Sequence, residues 1–454
     1  MAPSSEPTAN LPLRVLVIDD EPLAEAIKLA WDSRVDESTK VSHLSEAELC
    51  TGESQRLNAD VIIYPSYLIG ELAERELIEP LDHNDAADPV FDRQGLFELI
   101  RLHEIVWGDK VYAVPLGSPQ FMLLYRKDLF AKLEIEPPTT WEQYQVLAER
   151  LAEPSVGAEV GVQSEAVWRG AVEPSAPMWA GTMFLARAAA YARHRNQYSA
   201  LFDFNTMDPL IATPPFERAL NEMTALAAAQ RQEPVSPDDA LRKFLSGECA
   251  MAISWPHRTS ENLSADSSIG EERIGIAELP GSSEVYNHGT GSWEQRADTE
   301  SSHASLLAFD GRLGSVTKAC RRKKHAFGML FMISGTDLGS TISSASAHTA
   351  LYRESHLRQA HAWVEPMLDG SAARQYGEVI QSALNRPIWI DAIRVPGRSA
   401  YLEALDKAIV SALDQTATAT AALQSATSEW NKVTNSKGRD SQQRAYMRSL
   451  GLEP

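Results

Sequence analysis

The feature that most constrains this chain is one unbroken segment in its first third, together with the short run that follows it. The segment is Val111-Tyr-Ala-Val-Pro-Leu-Gly-Ser-Pro-Gln-Phe-Met-Leu-Leu-Tyr-Arg-Lys-Asp-Leu-Phe130, and the run is Pro137-Pro-Thr-Thr-Trp-Glu-Gln-Tyr144. Thr140, followed three residues later by Gln143, has the form of a capping box, which begins a helix. The whole pattern predicts a strand that crosses from one lobe to another, then a second strand, and then a capped helix.

Strands and helices alternate in the first part of the chain. Leu13–Ile18 is a predicted strand, and residues 23–31 follow it as a helix. The β-branched run at residues 60–64 predicts a buried strand, and Pro65 directly after it begins a helix. This alternation is typical of an α/β unit with a mostly parallel sheet. A length of 454 residues suits two or three domains better than one.

The later part of the chain carries a clear helix start and a clear strand. Ser236-Pro-Asp-Asp239 supplies an N-cap, a proline at the first helical position and first-turn acids, and Gly247 marks the end of that helix. Cys249–Ser254 is then a predicted strand. Residues 258–305 are rich in polar residues and predict mostly exposed loop, with one short strand near Ile274. Further helices are predicted at residues 216–226, 319–334 and 399–431.

Charge and cysteine content exclude several classes of protein. The net charge of −20 argues against binding to nucleic acid or to anionic membrane surfaces. The three cysteines, at positions 50, 249 and 320, form no Cys-x-x-Cys pair, so neither a zinc ribbon nor a disulfide framework is indicated. Cys249 lies in an apolar run and is predicted to be a small buried hydrophobe. No apolar run approaches the roughly 18–20 residues of a membrane span.

Motifs for catalysis are weak or incomplete. Val15-Leu-Val-Ile-Asp-Asp-Glu-Pro22 resembles the start of a response-regulator receiver, but Tyr64 stands where the phosphoacceptor aspartate is required. Ser315-Val-Thr-Lys318 lacks a Lys-Thr-Gly partner. His103-Glu-Ile-Val-Trp107 has tryptophan in place of the second histidine of a zinc protease. Pairs of carboxylates for glycoside hydrolysis stay possible, because 62 acidic residues make their presence uninformative.

Two motifs of the chain occur together in one known family. The segment at residues 111–144 is similar to Y-A-x-P … Y-N-K-D-L-F … P-P-T-T-W-x-E, with Arg126 in place of the usual Asn. Phe244-Leu-Ser-Gly247 and Ala250-Met-Ala-Ile-Ser-Trp-Pro-His257 are similar to G-x-x-A-M-x-x-x-x-P-W, with the last Trp and Pro in swapped order. The chain therefore resembles the extracellular solute-binding proteins of the sugar-binding, maltose-binding-protein-like type.

The resemblance extends over most of the chain. Phe309-Asp-Gly-Arg-Leu-Gly-Ser-Val-Thr-Lys318 resembles the family strand that returns to the first lobe, and Val395-Pro-Gly-Arg-Ser-Ala-Tyr401 resembles the start of its last helices. The matches keep their order and spacing from about residue 58 to about residue 425. The polar insertion at residues 281–305 departs from the pattern and affects the ligand class more than the fold.

The fold that this resemblance implies is α/β: a two-lobed periplasmic-binding-protein fold, hinged, with discontinuous lobes. The first lobe is expected to comprise residues 11–116 and 310–360. The second is expected to comprise residues 121–305 and 365–454. Residues 1–10 are expected to form a disordered tail.

The function that it implies is binding without chemistry. Such a protein captures a small ligand, here a carbohydrate, between its lobes and delivers it to an ABC permease in the membrane. It acts as a monomer in the periplasm or outside the cell, without cofactor, metal or nucleic acid. The first residues have no basic or apolar signal regions, which leaves two expectations: a cytoplasmic protein, or one whose export signal and membrane anchor have been removed from this sequence. The resemblance favours the second. Two alternatives stay open: a binding protein that feeds a sensor, and a sugar-active hydrolase.

The predicted ligand contacts lie at strand ends, where open α/β sheets bind their ligands. Trp255 follows the strand Cys249–Ser254, and its indole suits the apolar face of a pyranose ring, although core packing is the competing interpretation. Trp179 resembles the aromatic residue on the cleft side of the family's second lobe. The full predicted set is Tyr64, Ser66, Tyr67, Gln120, Trp179, Trp255, His257, Asp310 and Arg312.

Overall fold

The part of the chain that can be described covers most of its length. The computed structural model describes residues 12–33, 39–51, 56–159, 168–230, 233–258, 270, 273–368 and 370–452. The predicted tail at residues 1–10 lies outside these ranges. Within them, no helix has the length and apolarity that a membrane crossing requires.

Fifteen strands occur in the described residues. They are β1 (Leu13–Ile18), β2 (Thr39–Leu44), β3 (Val61–Pro65), β4 (Val106–Trp107), β5 (Lys110–Val111), β6 (Val114–Gly117), β7 (Met122–Arg126), β8 (Arg169–Val172), β9 (Cys249–Ser254), β10 (Ile274–Glu278), β11 (Glu284–Asn287), β12 (Ser292–Gln295), β13 (Ser305–Leu307), β14 (Arg312–Val316) and β15 (Trp389–Asp391).

Sixteen α-helices accompany them in the same residues. They are α1 (Glu21–Asp32), α2 (Glu46–Thr51), α3 (Ile69–Glu74), α4 (His83–Ala86), α5 (Lys127–Lys132), α6 (Trp141–Leu151), α7 (Pro154–Glu159), α8 (Ala180–Ala192), α9 (Pro214–Gln230), α10 (Pro237–Leu245), α11 (Lys323–Ser334), α12 (Gly339–Ser343), α13 (Ser371–Leu384), α14 (Arg398–Leu413), α15 (Ala419–Lys437) and α16 (Arg439–Ser449). Shorter helical turns include Ser66–Leu68, a π-helical turn at Ile100–Glu104, and Glu354–Ala362.

A five-stranded sheet forms the first of two main layers, in the order β2-β1-β3-β14-β6. β1 pairs in parallel with both β2 and β3, as the alternating pattern predicts. β14 comes from far along the chain and runs antiparallel to β3 and β6, with Leu313 opposite Tyr64. The first sheet is therefore built from two separate stretches of sequence.

A four-stranded sheet forms the second layer, in the order β10-β7-β9-β8. β7 pairs antiparallel with β10 and β9, and β8 runs parallel to β9. β6 belongs to the first sheet and β7 to the second, so the short link at residues 118–121 carries the chain from one sheet to the other. This confirms the crossing strand that the opening segment predicts.

Several predicted elements are confirmed, including the residues at which they begin or end. The strand Cys249–Ser254 is present with the same bounds, and Cys249 is fully buried. Ser236 caps α10: its hydroxyl accepts from the Asp239 N–H at 3.1 Å, while the Asp239 carboxylate accepts from the Ser236 N–H. Gly247 adopts φ of 82° after this helix, a conformation that favours glycine.

Other predicted boundaries are wrong by a few residues. α1 begins at Glu21 instead of residue 23, because the Asp20 carboxylate caps it by accepting from the Leu23 N–H at 3.1 Å. After β3, the turn Ser66–Leu68 precedes α3, so no α-helix begins at Pro65.

The predicted capping box at Thr140 is half right. The Thr140 hydroxyl accepts from the Gln143 N–H at 3.3 Å, as a capping residue does. The Gln143 side chain instead accepts from the N–H of Thr139, at 2.9 Å, so the reciprocal bond of a capping box is absent at this described site.

The polar region at residues 258–305 contains more structure than predicted. Its described residues include β10 and an antiparallel hairpin of β11 and β12, where the sequence predicts one short strand. Tyr286 and Trp293 pack across the hairpin with ring centroids 5.5 Å apart, and Val285 is buried. These apolar contacts fix strands in a segment whose composition suggests loop.

The start of α11 differs from expectation, whereas the last helices agree with it. α11 begins at Lys323 instead of residue 319, because Thr317 pairs with Ile78 and Cys320 closes a turn on Thr317. α14 and α15 form the predicted alanine-rich pair, and α14 packs against α8. The α8 backbone is tied to α14 by the Gly181 N–H, which donates to Asp406 Oδ1 at 2.6 Å.

Candidate functional site

A cavity of about 910 Å³ lies between elements of the two sheets. One wall comes from the end of β9, the first turn of α10 and the approach to α8. The facing wall comes from the first turn of α1 and from α12 with the loop after it. The lining residues are Pro22, Trp179, Ser236, Pro237, Asp238, Arg242, Trp255, His257, Arg258, Ser340, Thr341, Ser344, Ala345, Ala347, His348, Gln359 and Ala362.

Local topology explains why α10 and β9 share this wall. α10 is joined to β9 by a short turn, so the helix and the strand run in opposite directions. The N-terminal turn of α10 therefore lies beside the C-terminal end of β9, which is the end of a strand where α/β proteins bind ligands. Asp238 enters the wall from the helix, and Trp255 and His257 enter it from the strand.

An aromatic cluster forms the apolar part of the site. The rings of Trp179 and Trp255 have centroids 5.5 Å apart, and Trp255 also meets Phe121 at 5.5 Å and Phe309 at 5.7 Å. Phe121 and Phe309 lie on links between the sheets and stack on each other at 4.8 Å. Trp255 is 3% exposed and lines the cavity, whereas Trp179 is half-buried. Trp255 is thus both a core residue and part of the cavity wall.

A hydrogen-bonded cluster lines the cavity beside the aromatic residues. His257 places Nδ1 3.1 Å from the Trp255 carbonyl oxygen and Nε2 2.7 Å from Asp238 Oδ1. Arg242 forms an ion pair with Asp238 Oδ2 at 2.7 Å. The hydrogen bond from His257, with the charge of Arg242 nearby, holds the pKa of Asp238 below its ordinary value.

A second charged network supports the facing wall. His348 lines the cavity and places Nδ1 2.7 Å from Asp310 Oδ2. Behind it, Arg312 pairs with Asp20 at 2.9 Å and with Asp310 at 3.6 Å, and the Ser346 hydroxyl donates to Asp20. Burial alone would lower the pKa of Arg312, but the charges of Asp20 and Asp310 outweigh it and raise that pKa. The network fixes the position of the His348 ring.

The sequence also matches a known family over more than half of its length. Residues 52–293 fit the family described as bacterial extracellular solute-binding protein. The chain belongs to this family. Solute-binding proteins of this family act outside the cytoplasm and bind small molecules, so the cavity between the sheets is the expected location of a ligand.

Solved structures of low sequence identity share the fold of this solute-binding protein. An ABC transporter solute-binding protein from Agrobacterium radiobacter K84, in complex with ribitol, has a TM-score of 0.66 at 17% identity, covering 94% of this chain and 100% of its own. One from Agrobacterium vitis S4 with bound D-mannitol has a TM-score of 0.64 at 16% identity, covering 94% and 99%. One from Thermotoga lettingae TMO bound with α-D-tagatose has a TM-score of 0.65 at 14% identity, covering 93% and 99%. The fold is the two-lobed α/β periplasmic-binding-protein fold with discontinuous lobes.

Three of the nine predicted contacts come together in the cavity of this binding protein. Trp179, Trp255 and His257 line it directly. Asp310 and Arg312 lie one layer behind, where Asp310 holds the His348 ring. The end of β9 and its surroundings were therefore the most informative part of the sequence for locating the site.

The other four predicted contacts lie outside the described lining of the cavity. The Tyr64 side chain is fully buried, and its hydroxyl is 2.8 Å from the Ser315 hydroxyl oxygen, because β3 continues through Tyr64 as an interior strand. Ser66 is buried in the turn after β3. The Tyr67 hydroxyl donates to Glu46. The Tyr67 ring packs against the Arg398 guanidinium, whose Cζ lies 3.4 Å from the ring centroid. Gln120 donates to the adjacent Pro119 carbonyl and borders a different, small cavity.

Most of the charged residues of the wall are absent from the set predicted from the sequence. Asp238 was assigned to the start of a helix, and the antiparallel run of α10 and β9 was the signal that could have placed it at the site. Arg242 follows one helical turn later on the same face. His348 comes from an irregular loop after α12 and carries no sequence signal of its own. Arg258 lies just past the predicted Trp255–His257 pair.

A buried carboxylate lies where the links between the sheets meet. Glu104 is fully buried, and the Ser118 hydroxyl of the first link donates to its Oε1 at 3.0 Å. A Cβ placed on Gly311, in the returning segment, would lie 2.8 Å from that same oxygen, so the close approach favours glycine. Burial raises the pKa of Glu104 to about 7, despite the hydrogen bond from Ser118.

Proposed function

We propose that this solute-binding protein captures a carbohydrate between its two lobes, outside the cytoplasm, and delivers it to an ABC permease. The observation that carries this proposal is the cavity of about 910 Å³ with Trp179 and Trp255 on one side and polar side chains around it. A sugar offers apolar C–H faces for the indole rings and hydroxyl groups for the polar rim. The ribitol, D-mannitol and α-D-tagatose complexes of proteins with this fold support the same ligand class.

The proposed lobes are residues 11–116 with 310–360, and residues 121–305 with 365–454. The strands of the first sheet fall in the first set, apart from Gly117 at the end of β6, and those of the second sheet all fall within residues 121–305. The terminal helix α16 also touches the first lobe, where Arg448 pairs with Glu74 at 2.8 Å. We expect the links around Ser118 and Gly311 to act as the hinge, because the two sheets are joined there.

The proposed ligand contacts are Trp179, Trp255 and His257 of the predicted set, joined by Asp238, Arg258 and His348. Asp310 and Arg312 act by holding His348 in place. Tyr64, Ser66, Tyr67 and Gln120 stay predictions from the sequence, and their positions outside the described lining argue against direct contact.

The membership of the family supports a proposal for the wider setting. We propose that the protein works as a monomer in the periplasm or outside the cell, held at the membrane by an anchor. Its role ends at binding and delivery, with no cofactor, metal, nucleic acid or turnover. Incubating the purified protein with its best ligand for hours and analysing the mixture tests this: cleavage above that of a denatured control would favour the hydrolase alternative.

A binding screen tests the ligand class. The protein is heated with each of a set of sugars, polyols, amino acids and polyamines, and hits are confirmed by calorimetric titration. A ligand at 100 times its dissociation constant should add about 2.7 kcal/mol to the free energy of unfolding, which is an easily measured rise in Tm. Stabilisation by an amino acid or polyamine, with no effect of any carbohydrate, would contradict the proposal.

A further inference from the structure

The charges that line the cavity are unbalanced. Its described lining contains two arginines, Arg242 and Arg258, and two histidines, His257 and His348, against one carboxylate, Asp238. The whole chain has a net charge of −20. The ligand site is therefore a basic surface within a strongly acidic protein.

The single carboxylate of this lining is already engaged. Asp238 Oδ1 is 2.7 Å from His257 Nε2, and Oδ2 is 2.7 Å from an Arg242 terminal nitrogen. Each oxygen thus has a different nitrogen partner from the same wall. Asp238 has little remaining capacity to attract a cation or to repel an anion in the cavity.

His257 is held in the same wall by two hydrogen-bond acceptors. Its Nδ1 faces the carbonyl oxygen of Trp255 and its Nε2 faces the carboxylate of Asp238, both of which only accept hydrogen bonds. The residue is 2% exposed, so these two contacts fix the orientation of the ring beside the cavity.

Arg258 is the cation available to a ligand. Its Nε donates to the Val364 carbonyl oxygen at 3.3 Å, which anchors the base of the guanidinium. Among the described residues no carboxylate pairs with it, in contrast to Arg242. The free edge of a guanidinium fits a carboxylate, sulfate or phosphate with two parallel hydrogen bonds.

We propose that the ligand is a carbohydrate with a negatively charged group, and that this group pairs with Arg258 while the sugar ring packs on Trp179 and Trp255. The inference rests on the proposed function and makes its ligand class more specific. The shared chemistry is an anionic oxygen group on a sugar: the carboxylate of a uronic acid, or a phosphate or sulfate ester.

Matched pairs of ligands test the proposal. Calorimetric titration compares glucose with glucuronate, galactose with galacturonate, and glucose with its 6-phosphate and 6-sulfate. The anionic member of at least one pair should bind at least about tenfold more tightly, as expected for one charge-assisted hydrogen-bonded pair. Raising the salt concentration from about 0.05 M to about 0.5 M should weaken the anionic member more than the neutral one, because added ions screen charge.

Two variants assign the effect to one side chain. Arg258→Gln should reduce the preference for the anionic ligand to about threefold or less. Arg321→Gln removes an exposed arginine outside the cavity lining and should leave the preference unchanged. An anionic preference that survives in Arg258→Gln would overturn the assignment to Arg258.

The remaining outcomes distinguish a failure of this inference from a failure of the proposed function. Equal or tighter binding of the neutral sugars would overturn the anionic ligand and leave carbohydrate capture standing. Binding of none of these sugars, with a non-carbohydrate ligand found in the wider screen, would overturn both.

Discussion

The indole nitrogen of Trp255 donates a hydrogen bond of 2.9 Å to the carbonyl oxygen of Ala347. Trp255 follows β9 of the second sheet, whereas Ala347 lies in the loop after α12, which packs beside the first sheet. The bond therefore joins elements of the two proposed lobes at the edge of the cavity. If these lobes separate during ligand exchange the bond breaks, so we expect it to stabilise the closed arrangement by about 0.5–1.5 kcal/mol, as a typical hydrogen bond does.

Replacing the indole by a ring without the donor should open the free protein. Trp255→Phe keeps an aromatic side chain in the cluster but removes the bond to Ala347, which shifts the equilibrium toward open forms by about two- to tenfold. Small-angle scattering should give a larger radius of gyration for the ligand-free variant than for the wild type. Saturating ligand should bring both to the same smaller value.

Trp179→Phe is the matched control for this experiment. Trp179 also lines the cavity, but no hydrogen bond between its indole and the other lobe occurs in the described residues. The radius of gyration of the ligand-free Trp179→Phe variant should equal that of the ligand-free wild type. A wild-type protein whose scattering curve does not change at saturating ligand would count against hinge closure altogether.

Removing the Trp255 side chain should lower both stability and affinity. The ring is almost fully buried among Phe121, Phe309 and Trp179, so Trp255→Ala should reduce the free energy of unfolding by about 3–5 kcal/mol. The lost cavity wall should also weaken ligand binding by the folded fraction about tenfold or more. Urea unfolding and titration of the same preparation measure the two effects, and unchanged affinity would remove Trp255 from the ligand contacts.

A buried ion pair outside the cavity lining should affect stability alone. Arg187 is fully buried in α8, pairs with Glu173 and lies 3.9 Å above the ring centre of Trp141. Arg187→Met should destabilise the protein by about 3–5 kcal/mol, because it removes the cation that offsets the burial of the Glu173 carboxylate. Adding Glu173→Gln should recover part of the loss. Neither residue lines the cavity, so ligand affinity at low temperature should stay unchanged; a tenfold loss of affinity would contradict this separation.

The sequence predicted the framework of the fold because local patterns determine it. The crossing segment, the strand Cys249–Ser254 and the cap at Ser236 each depend on residues close together in the chain, and each is present. The hairpin of β11 and β12 was missed because its stability comes from Tyr286 and Trp293 packing across the strands, inside a polar stretch.

The site was predicted less completely because it depends on distant parts of the chain. Trp255 and His257 could be placed from the strand that precedes them. Tyr64 has an equally suggestive position at a strand end, but the return of β14 beside β3 buries it against Ser315, and no local pattern reports that pairing. Asp310, from another segment of the chain, holds the His348 ring at the cavity, and no local pattern reports that contact.

The last prediction concerns Glu104 and the pH dependence of stability. Its pKa is raised to about 7 by burial, above the ordinary value of 4.5, so the folded protein keeps a proton that the unfolded chain has already released between these pH values. The stability that this proton provides is complete below about pH 4.5, declines as pH rises toward 7 and is absent above it. Glu104→Gln, which is neutral throughout, should therefore gain stability relative to the wild type as pH rises from 5 to 8, by up to about 3 kcal/mol.

Urea unfolding at several pH values measures the difference, and Glu403→Gln on the exposed face of α14 should show no such trend. A constant difference between Glu104→Gln and the wild type across this range would show that Glu104 keeps an ordinary pKa between the lobes.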